Sequence, residues 1–231
     1  MLISEHVQHI KNVLSGGTSS DDFKIPDRQI YFVLKYLRAK LIRTRVDRYN
    51  YINDYNYQTI DCLPLELVKV KNCNDCVEID NECYVLQSKC ELPKIISNRN
   101  QMLIDKVTTV LGEEDNYFQG ETINKLTTYS KYRKSPQKLF YEIYNKRLRV
   151  YGSTVLEAVS FKALFEDPLK LADLNCCSGD DPCFDPDTDD FPLEADLADL
   201  LHKMTYEELL KIMMRLPQDL ENDAKDERTK G

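Results

Sequence analysis

The sequence contains no tryptophan and only three histidines, seven glycines and nine prolines among its 231 residues. So few glycines and prolines exclude a collagen-like or low-complexity chain. No apolar run approaches the ~20 residues that a membrane-spanning helix needs, so we expect no integral membrane protein and no membrane partner. Residues 1–15 carry charged side chains and histidines where a secretory signal has an apolar block. The remaining composition, 42% hydrophobic and 30% charged, predicts a soluble globular protein inside the cell.

Motifs that mark catalytic sites are also missing. The chain has no G-x-S-x-G, no glycine-rich phosphate loop and no H-E-x-x-H. His6 and His9 stand three residues apart on a predicted helix, but no cysteine or carboxylate set beside them indicates a metal site, and His202 lies near the other end. We therefore expect core or surface histidines, no enzymatic activity and no cofactor. An intracellular enzyme of unknown class remains an alternative that a deep pocket of ionisable groups would reveal.

Charge is distributed unevenly along the chain. Residues 176–231 hold 16 Asp and Glu against 6 Lys and Arg, whereas residues 1–175 hold 23 acidic and 25 basic side chains. A protein that binds duplex DNA usually presents a dominant basic face, which this distribution does not favour. The acidic C-terminal quarter instead suits a protein that must stay soluble or must not adhere to nucleic acid.

The N-terminal region, residues 1–50, is predicted to be a helical hairpin. Apolar residues recur at helical spacing in two segments, separated by Gly16-Gly17 and by Pro26. The apolar seams of the two helices comprise Ile3, Val7, Ile10 and Leu14, and then Ile30, Val33, Leu34, Leu37 and Leu41.

The central region, residues 51–172, is predicted to be mostly antiparallel β structure. The clearest hairpin is Phe140 to Tyr151, where apolar and polar residues alternate on both sides of a turn at Asn145-Lys146. Asp167-Pro168 ends the last predicted strand, because a residue before proline resists the helical conformation. Further predicted strands are Thr59 to Cys62, Leu65 to Val70, Cys83 to Leu86, Leu103 to Val110 and Ser153 to Phe165.

The rest of the chain is predicted to be an acidic linker followed by helices, which makes the fold class α+β. Residues 173–192 are too polar and too proline-broken to hold a core. Residues 193–217 form C-terminal helices, the second of which starts at a capping box of Thr205 and Glu208. Residues 218–231 form a mobile charged tail.

Eight cysteines raise the question of a metal site. Cys73, Cys76, Cys83 and Cys90 have the spacing C-x2-C-x6-C-x6-C, which supplies enough sulfur for tetrahedral zinc but lacks a second C-x2-C. Packing of these cysteines as small hydrophobes is the favoured interpretation, so no metal is expected. The remaining cysteines of the acidic linker are expected to be free thiols: Cys176, Cys177 and Cys183.

The second predicted helix is rich in Lys and Arg. It carries seven basic residues against Asp27 and Asp47: Arg28, Lys35, Arg38, Lys40, Arg43, Arg45 and Arg48. Contact with phosphates is not favoured, since the basic residues are scattered around the helix. Two interpretations are favoured instead. The residues form a solvent-exposed face of a helical bundle, or they dock on an acidic neighbour, including the acidic zone of an adjacent copy.

Several segments together resemble the neck and tail ring proteins of crAss-like tailed bacteriophages. The segments that carry this resemblance are Ile30 to Ile42, Cys83 to Ile95, Phe140 to Gly152, Ala163 to Pro168 and Pro192 to Leu197. The resemblance implies a virion structural protein, assembled in the host cytoplasm, that forms a ring (a homo-dodecamer is expected) in the head-to-tail connector. Its implied partners are copies of itself, the portal protein above it, neighbouring neck and tail proteins, and genomic DNA in transit through a central channel. A zinc-stabilised regulatory or nucleic-acid-binding protein remains the alternative that the cysteines and the basic helix would support.

Overall fold

The computed structural model describes residues 1–17, 25–69, 84–99, 101–111, 119–120, 139–151, 155–174 and 182–215. Within these ranges the chain forms helices at both ends and a mainly antiparallel sheet between them, which confirms the α+β class. The helices are α1 (Ile3–Leu14), α2 (Asp27–Tyr49) and α3 (Ala195–Arg215). The strands are β1 (Gln58–Lys69), β2 (Tyr84–Ser88), β3 (Ser97–Asn98), β4 (Gln101–Met102), β5 (Ile104–Thr109), β6 (Gln119–Gly120), β7 (Phe140–Tyr144), β8 (Arg147–Tyr151) and β9 (Ala158–Ala163).

The two N-terminal helices bury the faces that periodicity predicts. α1 ends where Gly16 and Gly17 adopt φ angles of 68° and 85°, a left-handed conformation that glycine enters without a steric penalty. The apolar seams of α1 and α2 meet α3, so the predicted hairpin is completed as a three-helix unit. The buried residues of this helical cluster include Ile10, Ile30, Leu34, Leu37, Phe191, Leu201 and Leu209.

The C-terminal helical region is one continuous helix, so the prediction of a second helix start at Thr205 was wrong. Thr205 is fully buried, and its hydroxyl donates a hydrogen bond of 2.7 Å to the carbonyl oxygen of Leu201. A threonine inside a helix can satisfy its hydroxyl on the carbonyl four residues back, which is a different role from the N-cap that the same sequence pattern suggests.

The central sheet has seven strands in the order β5-β9-β1-β2-β8-β7-β6, with only the β6–β7 pair parallel among the described strands. β1 belongs to both halves of this sheet: residues 58–64 pair with β9, and residues 65–69 pair with β2. The register shifts between Ile60 and Leu63. A bulge of this kind bends a strand and increases its twist, which lets the two halves enclose one apolar core.

The hairpin predicted at Phe140 to Tyr151 is confirmed as β7 and β8, paired from Phe140–Tyr151 to Tyr144–Arg147. Asn145 and Lys146 have φ angles of 48° and 61°, as a two-residue type I′ turn requires. Lysine is an unfavourable residue for this conformation, because its Cβ approaches the following carbonyl oxygen.

Replacing Lys146 with glycine is therefore expected to raise the free energy of unfolding by about 1 kcal/mol. The ion pair that would be lost, between the Lys146 Nζ and Glu91, spans 3.8 Å with both side chains mostly exposed, so it offsets little of this gain. Chemical denaturation of both proteins measures the difference. A lower stability of the glycine variant would contradict the strained-turn explanation.

A small third cluster joins the helices to the sheet. Its buried members come from α2 and from three segments of the central region, and they are Ala39, Ile42, Ile52, Ile96 and Leu164. α2 therefore contributes to two clusters, and it is the helix that connects the three-helix unit to the central region.

The described part of the acidic linker contributes to the core, contrary to the prediction that it holds none. Phe184 is 6% exposed and packs with the sheet cluster, and Phe191 is 3% exposed and packs with the helical cluster. Between them, Asp185 accepts hydrogen bonds from Asp187 and Thr188, so its carboxylate stabilises the turn. The many aspartates make this stretch look uniformly polar in the sequence, although Phe184 and Phe191 anchor it in two apolar clusters.

Among the described residues, no helix combines the length and apolarity that crossing a membrane requires.

Candidate interaction surfaces

The cysteine positions do not assemble a site in the described structure. Cys73, Cys76 and Cys83 lie outside the described residues, and Cys90 is a partly buried free thiol just after β2. Within the ranges described above, no group of three His, Cys, Asp or Glu side chains could hold a metal ion. Cys183 is disulfide-bonded, so the expectation of a free thiol there was wrong.

The three histidines of the sequence meet where α1 packs against α3. His6 and His202 are 2% and 8% exposed, and His6 Nδ1 lies 2.7 Å from His202 Nε2. The ring centres of His9 and His202 are 4.9 Å apart. Burial, followed by the nearby His202, lowers the pKa of His6 to about 4. Burial and His9 also lower the pKa of His202, so both buried rings are neutral at pH 7 and one donates to the other.

Among the described residues, Arg38 has the largest fully buried side chain, and it connects three segments of the chain. Its guanidinium donates to the carbonyl oxygens of Pro192 at 2.8 Å, Phe165 at 2.7 Å and Asn56 at 3.1 Å. Burial lowers the pKa of Arg38 to about 10, so the side chain stays charged at neutral pH. Only the planar guanidinium has enough diverging donors to satisfy three carbonyls at once.

Other basic residues of α2 are also held by contacts inside the molecule. Asp167 accepts hydrogen bonds from the Tyr31 hydroxyl at 2.5 Å and the Lys35 ammonium at 2.6 Å. Partial burial alone would raise the pKa of Asp167, but these two donors hold it below its usual value. Arg43 pairs with Glu166, and Arg45 lies between the carboxylates of Glu194 and Asp196. These basic residues therefore stabilise the fold, which leaves few of them for phosphates.

One face of α2 remains exposed, and it carries aromatic and basic side chains at intervals of four residues. We call this face the α2 ridge, and its members are Arg28, Phe32, Tyr36 and Lys40. Phe32 and Tyr36 are each 61% exposed, which is a large apolar area for two neighbouring positions. Arg28 and Lys40 form no ion pair with any described residue.

A shallow groove of about 380 Å³ runs beside the α2 ridge, between α2 and the segment that follows β9. Phe32 and Tyr36 form part of its wall. Its charged lining residues are four cations and two anions, namely Lys35, Arg43, Lys94, Lys170, Glu166 and Asp167. The surface around the α2 ridge is thus net positive.

A larger cleft of about 950 Å³ lies between the start of α3, the segment before β1 and the last part of the acidic linker. We call it the acidic cleft, after the five carboxylates that line it: Asp189, Asp190, Glu194, Asp196 and Asp199. No Lys or Arg is among the described residues that line it. Tyr55, which is 78% exposed, and the buried Phe184 supply aromatic surface.

Two side chains of the acidic cleft are buried with polar atoms that lack partners. Gln58 is 8% exposed, and neither its amide nitrogen nor its amide oxygen has a hydrogen-bond partner among the described residues. Glu194 is 7% exposed, and its Oε1 lies 3.7 Å from Arg45 Nε without forming a hydrogen bond. Burial and the neighbouring Asp196 raise the pKa of Glu194. The cleft therefore contains two buried acceptor oxygens, one on Gln58 and one on Glu194, that receive no hydrogen bond from the described residues.

Sequence reasoning identified the basic character of α2 but missed the α2 ridge and the acidic cleft. The ridge was detectable, because Phe32 and Tyr36 fall on the side of the helix opposite the apolar seam. The cleft was not, since it brings together segments that are more than a hundred residues apart in the chain.

Comparison with known proteins gives two matches that span nearly the whole chain. A family model described as phage tail ring protein 2 matches residues 5–228. Ring protein 2 of Bacteroides phage crAss001 is 28% identical over 229 residues, which cover 91% of each chain.

Proposed function

Because this chain belongs to the phage tail ring protein 2 family, we propose that it forms a ring of identical copies, a homo-dodecamer, in the connector between the phage head and tail. In this proposal the ring lies below the portal, contacts neighbouring neck or tail proteins, and encloses a channel through which genomic DNA passes. Family membership itself makes the protein a structural component of the virion and favours assembly over catalysis.

The observation that carries the proposal is the extent of the family match. The family match covers residues 5–228, which include the central sheet, α2, α3 and all of α1 except its first two residues. A match of this extent concerns the whole molecule and not one shared module. The role of the family is therefore the best guide to the role of this chain.

The way the basic side chains of this protein are engaged favours passage of DNA over binding of DNA. Arg38, Arg43 and Arg45 are occupied by contacts within the protein, so fewer cations are left to bind phosphates. A conduit needs weak attraction to phosphates, because each neutralised phosphate increases affinity and slows movement. A surface with few free cations meets that requirement.

The experiment that tests the proposed function is mass spectrometry of purified virions together with native mass measurement of the assembled ring. We expect the protein in every particle, at twelve copies, and expect it to co-purify with portal-containing neck fragments after the particles are disrupted. Absence from virions would overturn the proposal as a whole. Presence with another copy number, or in tail fragments that lack the portal, would overturn the dodecamer or the connector position.

A further inference from the structure

We propose that the α2 ridge of one copy docks into the acidic cleft of the next copy, so that a head-to-tail contact between copies closes the ring. This inference rests on the proposed function, because it assigns the surfaces through which the ring assembles. The partner is a second copy of this chain, for reasons of direction, charge and unsatisfied hydrogen bonding.

The two surfaces face opposite directions, as a head-to-tail contact requires. Tyr36 and Arg45 are nine residues apart, which at 3.6 residues per turn is about two and a half turns and places them on opposite sides of α2. Arg45 contacts Asp196 of the acidic cleft at 2.9 Å, so the α2 ridge points away from the cleft of its own chain. Two different patches on opposite sides generate a heterologous interface, which closes into a ring when successive rotations between copies add up to a full turn.

The charges of the two surfaces are complementary. Arg28 and Lys40 flank the aromatic centre of the α2 ridge, and the groove beside it adds further cations. The acidic cleft has five carboxylates, of which Arg45 and the N-terminal ammonium of Met1 offset only part. Complementary potentials select the partner and fix its orientation.

The acidic cleft also has acceptors that a neighbouring ridge could satisfy. The amide oxygen of Gln58 and Oε1 of Glu194 are buried acceptors without a hydrogen-bond donor among the described residues, and Arg45 Nε lies 3.7 Å from the Glu194 oxygen. A cationic side chain or a tyrosine hydroxyl from the next copy supplies donors for these two oxygens. Phe32 and Tyr36 supply the apolar centre, and exposed aromatics of this kind commonly carry most of the binding energy of an interface.

Two variants and their mixture test the proposal. The ridge variant carries Arg28→Glu and Lys40→Glu, and the cleft variant carries Ala195→Lys and Asp199→Lys. None of these side chains forms an ion pair with another described residue. Self-association of full-length protein is measured by sedimentation velocity and mass photometry. We expect each variant alone to associate at least about a hundredfold more weakly than the unmodified protein.

The mixture gives the sharpest outcome. The ridge variant keeps an intact cleft and the cleft variant keeps an intact ridge, and the altered ridge and altered cleft also carry opposite charges at the changed positions. An equimolar mixture is therefore expected to form complexes that neither variant forms alone. A contact between two identical patches would instead leave the variant whose patch is unchanged associating alone at the concentration the unmodified protein needs. That result, or a mixture that forms no complex, would overturn the proposal.

Matched controls and the unmodified protein complete the design. Lys89→Glu and Glu157→Lys change the same charges at exposed positions that line neither surface, and we expect them to assemble normally. Unfolding transitions confirm that every variant is folded. An unmodified protein that stays monomeric at all concentrations would overturn this interface, whereas the virion measurement of the proposed function would stand independently.

Discussion

Replacing Arg38 with methionine is expected to lower the free energy of unfolding by about 3 to 5 kcal/mol. Methionine keeps much of the apolar volume of the arginine stem but has no donor. The carbonyl oxygens of Asn56, Phe165 and Pro192 would each lose a hydrogen bond from a charged group in a buried site. A buried acceptor left without a partner costs about 1 to 3 kcal/mol, so three of them near the lower end of that cost give the expected loss.

Chemical denaturation monitored by circular dichroism measures this loss, with Arg48→Met as the control. Arg48 lies on the same helix but is exposed, so its replacement is expected to change stability by less than about 0.5 kcal/mol. Arg38→Lys is expected to recover little, because an ammonium cannot reach three carbonyls that lie in diverging directions. Similar stabilities for Arg38→Met and Arg48→Met would show that the three hydrogen bonds contribute nothing net.

Lowering the pH from 7.5 to 5 is expected to destabilise the protein by about 2 kcal/mol through His6 alone. The pKa of His6 is about 4 in the folded protein and 6.5 in the unfolded chain. A histidine with a lowered pKa in the folded state contributes full stability above pH 6.5 and loses it as the pH falls toward 4. His202 has a lowered pKa as well, so it acts in the same direction.

The charged and titratable groups that face His6 and His202 determine how the test is designed. His9, the N-terminal ammonium of Met1 and His202 disfavour a proton on His6, whereas Glu5 favours it. Asp199 favours a proton on His202. Stability measured across this pH range is expected to vary less in His6→Leu than in the unmodified protein. An unchanged pH profile in His6→Leu would contradict the assignment to His6.

Elements whose pattern is local could be predicted from the sequence. The β7–β8 hairpin needs only alternation and a two-residue turn, and the seam of α2 needs only spacing of three and four residues. The end of the β region at Asp167-Pro168 follows from a steric rule for neighbouring residues, and Asp167 is extended with φ of −122°.

Features that depend on distant segments could not be predicted. Arg38 occupies the apolar seam between Leu34 and Leu41, and the sequence grouped it with the exposed basic residues because its carbonyl partners lie 18, 127 and 154 residues away. Thr205 fits the pattern of a helix start, and only burial and the Leu201 carbonyl show that it lies inside α3. The acidic cleft depends in the same way on tertiary contacts.

The burial of Phe184 and Phe191 also bears on how fast subunits can add to a growing assembly. Seven residues apart, the two rings are anchored in different cores, so this stretch cannot serve as a hinge without pulling one of them into water. This stretch is therefore expected to keep its conformation when a subunit docks. Where docking needs no rearrangement, orientation limits the association rate to roughly 10⁵–10⁷ M⁻¹s⁻¹.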